Sequence, residues 1–390
     1  MITAALKSQF LIRKDICFLN FGSFGACPKP IFDRYQAYQL ELEQEPVLFT
    51  VKTGLEYLKT SREALGVYLN CDADDLVYLV NPSHAVNLVA KSLSLKPGDE
   101  VLTTDLEYGA CDKTWQYYCD KAGAKYIRQP ITLPIISKEA FVTEFFKGVT
   151  ANTKLIFLSH ITSSTALRFP VEAICKKAKE MGIMSFIDGA HAPAQIPLNL
   201  STLEADIYTG ACHKWMMTPK GSSFLYIRRS FQSLFDPLVV SWGFNSATPS
   251  HSRFLDYHQT QGTRDFSAFL CIPEAIQFMQ QYNWEAVSAE CKKIVLDNAA
   301  AFCALLNTAP LAPLNEDFIV QLFSIPIHTP EPEQLKTLLF EKYKIEIPVM
   351  RHADQVYLRY SIQAFNSQND LDILTDALKD IIKTTHLIKA

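Results

Sequence analysis

Apolar and polar positions along the chain separate a long region of alternating short and long periods from a shorter C-terminal region with a pattern of its own. An apolar run at 17–28 breaks into a loop with glycines at 22 and 25, and helical spacing covers 30–45 and 55–69. Short apolar runs then predict strands at 76–80, 100–103, 125–128, 155–159, 183–187, 205–209 and 223–227. Between them, periodic stretches predict helices at 85–93, 110–121, 140–146 and 170–181. Such alternation implies a mainly parallel sheet covered by helices on both faces, joined by right-handed crossovers. Past residue 231 the pattern loosens into a polar, aromatic stretch. It resumes with helices at 272–281 and 284–306, strands near 319–327, 346–349 and 355–360, and helices at 331–343 and 369–387. The expected organisation is an N-terminal segment (1–20) packing with the small domain, a large α/β domain (21–265) and a small α+β domain (266–390).

Composition adds bounds. With 390 residues, 48% hydrophobic and 20% charged, the chain can bury one large core and a second, smaller one. A net charge of -4 and no basic run beyond a pair such as Arg228 and Arg229 give no reason to expect a nucleic-acid partner. Lys7, Arg13 and Lys14 interrupt the apolar residues near the N-terminus, and no later segment approaches about 18 uninterrupted apolar residues. Neither a signal peptide nor a membrane span is expected, and a cytoplasmic location is. The ten cysteines are scattered without a C-x-x-C pair, which suits free thiols used as small core residues and not a zinc site.

In parallel sheets ligands sit beyond the carboxyl ends of the strands. Five such ends, at 81–84, 105–108, 160–163, 188–191 and 209–214, carry hydroxyl, imidazole or carboxylate groups. Lys214, beside His213 and Trp215 in a tight turn, is placed like a nucleophilic amine whose pKa burial would lower, although most lysines in such turns are surface charges. Asp188 at the end of a nearby strand changes that balance. One amine to hold an aldehyde and one carboxylate to keep a pyridine nitrogen protonated are what a pyridoxal 5'-phosphate site requires. Ser83 and His84 open a helix and could hold the phosphate, an ordinary N-cap at Ser83 being the alternative. His213 could donate to the same phosphate or be a structural histidine. Tyr108 could stack on the ring or pack as a core tyrosine, and His191 or Ser163 could hydrogen-bond the ring hydroxyl. Asp188 and His191 could also be a metal-ligand pair, and a metal-dependent hydrolase using His160, Asp188, His191 and His213 is the rival from another class. A non-catalytic binding protein is a further alternative. Arg359, inside the apolar strand VYLRYS, needs a partner for its charge, either a substrate carboxylate or a structural acid.

With these residues in view, the sequence resembles the class V aminotransferase-like family of fold-type-I pyridoxal phosphate enzymes, most closely its isopenicillin N epimerase-like branch. The matching blocks run from LNFGSFGACP (19–28) through DLEYGA (105–110), SHITSSTALRFPV (159–171), IDGAHAPAQIPLNL (187–200), GACHKW (210–215), PKGSSFLYIR (219–228) and QGTRDFSAFLCIPEAI (261–276) to LRYSIQAFNSQNDLDIL (358–374). The resemblance implies Lys214 as the Schiff-base lysine, Asp188 on the pyridine nitrogen, His191 near the ring hydroxyl and Tyr108 stacked on the ring. It further implies Ser83, His84 and His213 at the phosphate, Arg359 with Asn20 at the substrate, and Gly262 and Thr263 reaching the phosphate of the other subunit of a homodimer. Two departures stand out: Pro82 replaces a residue with a free N–H, and Ala211 replaces a polar residue near the phosphate. The expected chemistry is at Cα and Cβ of an amino acid, as a C–S lyase or aminotransferase. An epimerase or racemase would need an acid/base on the second face, for which the sequence names no residue. A cysteine desulfurase would need a nucleophilic cysteine before the arginine strand, and 348–355 has none. Substrate side-chain selection is expected from 21–24, Phe49 and 242–257.

Overall fold

The computed structural model describes residues 2–389. Its strands, in chain order, are β1 (Cys17–Phe18), β2 (Leu76–Leu79), β3 (Glu100–Thr104), β4 (Lys125–Gln129), β5 (Thr153–Ser159), β6 (Met184–Asp188), β7 (Ile207–Ala211), β8 (Ser223–Ile227), β9 (Leu322–Ile327), β10 (Ile345–Glu346), β11 (Val349–His352) and β12 (Gln355–Ser361). Seven of them form one sheet in the order β2-β8-β7-β6-β5-β3-β4. Its pairings are parallel except those of β8, which runs against both neighbours, β2 and β7. The carboxyl ends of β2, β3, β5, β6 and β7 therefore open at one edge, and the amino end of β8 joins them there.

Except for the edge strand β4, the strands of this sheet are buried on both sides because their side chains alternate between two helical layers. On β2, Val77 and Leu79 join Val86, Phe157 and Phe186 in the core on one face. Leu76 and Tyr78 point to the other face, whose core continues through Ile156, Ile187 and Tyr208 to the C-terminal sheet β11-β12-β9. The N-terminal segment ties into that second region: β1 pairs in parallel with β10, and the Asn366 side chain donates to the Phe18 carbonyl.

Several elements differ in extent from the sequence-based expectation, for identifiable reasons. The helix expected from 85 begins at Pro82, with Asn81 as its cap, the Asn81 side chain accepting from the His84 N–H. Proline is well suited to the first helical position because its missing N–H would have no partner there. Ser83 is thus not the N-cap. The strand expected at 346–349 is two strands, β10 and β11, parted at Pro348, which has no N–H for a ladder. The loop at 21–24 is a helical turn, Phe21–Phe24, and the irregular stretch after 241 contains the helix Arg253–Gln259, capped by Ser252. Among the described residues no helix is long and apolar enough to cross a membrane.

Candidate active site

The polar strand ends converge on a cavity of about 350 Å³ at the carboxyl edge of the large sheet. Ser83, Tyr108, Ser163, Asp188, His191, His213 and Lys214 all line it, together with Ser23, Phe24, Cys111 and Ser159. The His84 ring does not line it; its Nε2 is buried without a partner. Gly262 and Thr263 lie outside the cavity of their own chain. Phe49 is buried against Phe266 and Tyr57, so it is core and not a specificity residue.

Lys214 follows β7 in the turn that returns the chain to β8. Its Nζ lies 3.1 Å from Nε2 of His191, which begins the loop after β6. Burial, then the nearby charge of Arg359, lowers the amine's pKa to about 8, while Asp188 acts in the opposite sense. The segment 20–25 presses on this turn so closely that only glycine fits at 25: its φ is +64°, and a Cβ there would stand 2.3 Å from the His213 carbonyl oxygen.

Asp188 ends β6, 4% exposed. One carboxylate oxygen accepts from the Ala190 N–H at 2.9 Å and the other meets only the Cys111 thiol at 3.6 Å. Burial pushes its pKa up. Beside it in register lies Ser159, whose N–H and hydroxyl both donate to Glu107. Glu107 is fully enclosed, also accepts from Thr104, and is pushed up to about 8 by burial.

The start of helix Pro82–Ser92, capped by Asn81, opens on the cavity with Ser83 in its lining, an arrangement able to hold an anion. His213 contributes differently from expectation. Its Nδ1 lies 2.7 Å from the Ser222 carbonyl and must carry the hydrogen, so the neutral ring offers only an acceptor at Nε2. Burial lowers its pKa to about 4, so it donates to a phosphate only if that anion draws a second proton onto it.

Arg359, on β12, is 2% exposed. Nη1 donates to the carbonyl and hydroxyl of Ser163, Nη2 donates to Ser23 Oγ at 3.1 Å, and Nε has no partner. Burial lowers its pKa to about 10, and no carboxylate is among the groups that bond it. Asn20 stands one step behind: it accepts from the Ser23 hydroxyl and donates to Glu346 at 3.1 Å, so it braces the arginine's support. Ahead of Arg359, β11 and β12 join through only Ala353 and Asp354, a tight hairpin with no cysteine and no room for a mobile loop.

Sequence reasoning missed Ser159 and Cys111 as parts of this wall and Glu107 behind it, and it placed the stretch 21–24 at the substrate without singling out Ser23. Ser23 had a signal, standing between two glycines in a stretch marked for close approach, whereas the burial of Glu107 behind Ser159 depends on strand order. His160 is turned behind the sheet edge onto the Tyr208 hydroxyl, away from the cavity lining. Among the described residues no group of three or more His, Cys, Asp and Glu side chains converges on a metal position.

The donor set fits pyridoxal 5'-phosphate. An amine of lowered pKa, a buried carboxylate with no cation bound to it, an open helix N-terminus and a half-exposed aromatic ring, Tyr108, share one cavity. The comparisons agree. The aminotransferase class-V family model matches residues 28–374. The chain is 29% identical to an isopenicillin N epimerase of Amycolatopsis lactamdurans, over 97% of this chain and 98% of that one. It is 26% identical to an L-cysteine desulfhydrase of Arabidopsis thaliana, over 94% and 87%. Its fold matches a cysteine desulfurase from Thermococcus onnurineus NA1 with a TM-score of 0.84, covering 98% of both chains at 19% identity.

Proposed function

Since the chain belongs to the class-V aminotransferase family and is a pyridoxal 5'-phosphate-dependent enzyme, we propose that it is a C–S lyase that cleaves the side chain of a cysteine-type α-amino acid. The observation that carries the amino-acid part is Arg359: a buried guanidinium with a free Nε and no carboxylate bonded to it asks for a carboxylate from outside the chain.

In this reading Ser83 and the N-terminus of its helix hold the phosphate, with His213 beside them. Asp188 holds the ring nitrogen, Tyr108 covers the ring and Lys214 holds the aldehyde. When bound, the cofactor supplies an electron-accepting ring that stabilises negative charge at the substrate Cα. Arg359, held by Ser163 and Ser23, fixes the substrate carboxylate and so the direction of the Cα–H bond. Displaced from the aldehyde by the substrate's own amine, Lys214 Nζ, whose lowered pKa favours the neutral form, would take the proton from Cα. The electron pair of the broken C–H bond forms a Cα–Cβ double bond as the Cβ–S bond breaks, and the sulfur leaves with its electron pair and takes up a proton. Phe24, Val80 and Ile161 form the apolar part of the lining that meets the leaving group. Gly262 and Thr263, outside their own chain's cavity, complete the phosphate site of a second copy in a homodimer.

Elimination is favoured because Lys214 and His191 stand side by side as one proton-transferring pair, whereas epimerisation needs a donor on each face of Cα. The desulfhydrase relative supports it, and the cysteine-free hairpin before Arg359 argues against a persulfide route. A second reading, an epimerase, is favoured by the relative of that name with the greater identity. Proton NMR in deuterated water with L-amino acids and cysteine conjugates separates them. A lyase releases the sulfur-bearing group and yields pyruvate and ammonia. Exchange of the α-proton with the side chain intact refutes elimination and leaves an epimerase, or an aminotransferase if turnover then depends on added keto acid.

A further inference from the structure

The residue after the lysine also reaches the site, through a donor with one possible direction. Trp215 is completely buried, and its indole Nε1, which can only donate, directs its hydrogen to His191 Nδ1 at 3.3 Å. Across the same imidazole, Nε2 faces Lys214 Nζ. A ring nitrogen that accepts from an indole carries no proton of its own, so the hydrogen of neutral His191 sits on Nε2, towards the amine and the cavity. Burial and the charges of Lys214 and Arg359 keep that ring neutral. We infer that Trp215 is a positioning residue that locks His191 in the Nε2–H tautomer, so that the ring presents a donor to a ligand oxygen bound beside it, and to the Lys214 amine in the fraction where that amine is neutral. Trp215 is itself held by Phe21, ring centroids 5.0 Å apart, from the same helical turn that supplies Ser23 to Arg359. One packed joint thus orients both the histidine donor and the arginine.

The benefit to a bound cofactor rests on the function proposed above; the tautomer does not, because every contact lies within the chain alone. Nitrogen-proton multiple-bond NMR of the cofactor-free protein carrying labelled histidine reads it directly, with His191 assigned by the signals lost in His191→Gln. The expected wild-type spectrum has a bare Nδ1 and a protonated Nε2, and Trp215→Phe, which keeps a ring against Phe21 without the N–H, loses that exclusive pattern. A protonated Nδ1 in the wild type overturns the inference even if the variant does not fold, and so does an unchanged tautomer in a folded Trp215→Phe. Failure of the lyase reading would appear in substrate turnover and leave this spectrum as it is.

Discussion

The reactivity of Lys214 should be set by its surroundings in a measurable way. An amine at its ordinary 10.5 is neutral in about one molecule in 3,000 at pH 7, whereas at about 8 the fraction is about one in eleven, roughly 300-fold more nucleophile. The displacement corresponds to roughly 3 kcal/mol favouring the neutral form, at about 1.4 kcal/mol per pH unit. The signs of the separate causes follow from the structure. Burial disfavours the cation, Arg359 repels it and Asp188 attracts it. Reductive methylation of the cofactor-free chain with formaldehyde at a series of pH values, read at the Lys214 peptide by mass spectrometry, gives the titration directly. The wild-type midpoint should lie near 8, Arg359→Leu should raise it, and Asp188→Asn should lower it further. A midpoint near 10.5 would show that the amine is solvated as an ordinary surface lysine and would remove the physical basis for its role, and a midpoint near 8 that Arg359→Leu leaves in place would remove Arg359 as one of its causes.

Arg359→Lys keeps the charge but loses the planar fork, and should lower kcat/KM for the amino-acid substrate about 10- to 100-fold, the equivalent of one charge-assisted hydrogen bond; unchanged steady-state kinetics would place the carboxylate elsewhere. Gly25→Ala forces a Cβ at positive φ onto the His213 carbonyl, which should destabilise the chain by at least about 1–3 kcal/mol in urea unfolding and weaken cofactor uptake seen by absorbance; a neutral result would mean that segment 20–25 is not clamped to the lysine turn. Glu107→Gln tests the buried acid. A carboxyl raised from 4.5 to about 8 holds a proton that the unfolded chain has already released, so its stabilising contribution is present below 4.5 and is lost as pH rises through 8. The neutral isostere should therefore gain stability with rising pH, roughly 3 kcal/mol by neutrality at about 1.4 kcal/mol per pH unit, and parallel melting profiles for the two proteins between pH 5 and 8 would refute it.

How much of this was legible beforehand depends on whether a feature is local. The strands of the large sheet were readable because each is a short apolar run ended by polar groups, and β8 at 223–227 was placed to the residue. Lys214, Asp188, Tyr108 and Ser83 were singled out because they lie at those ends, and a parallel sheet brings such ends to one cavity whatever the strand order. What escaped is what crosses between distant segments. Ser23 on Arg359 joins residues 336 apart in sequence, and Ser159 on Glu107 requires β3 and β5 to be neighbours. Phe49 looked like a specificity residue by type alone, because burial against Phe266 leaves no trace in spacing. For His213 the choice between phosphate donor and structural histidine stayed open because nothing local shows that its Nδ1 hydrogen is already committed to Ser222.

The charges in the cavity wall and directly behind it, Arg359 behind Ser23 and Ser163 and Glu107 behind Ser159, define what it can hold better than its shape does. Lys214 and Arg359 each stand in protein surroundings with no bonded carboxylate, and burial raises the pKa of both Asp188 and Glu107, neither of which bonds a cation. Left alone, buried groups of this kind destabilise a fold, since each is withdrawn from water without an opposite charge in contact. The arrangement makes physical sense if the missing charges arrive with ligands: an anion at the Ser83 helix, a cationic ring nitrogen at Asp188 and a carboxylate at Arg359. Glu107, being held neutral by its burial, does not compete for that ring nitrogen. On the proposed function it leaves Asp188 as the carboxylate that would meet it, which is the condition for a protonated ring and hence for a stabilised electron pair at Cα.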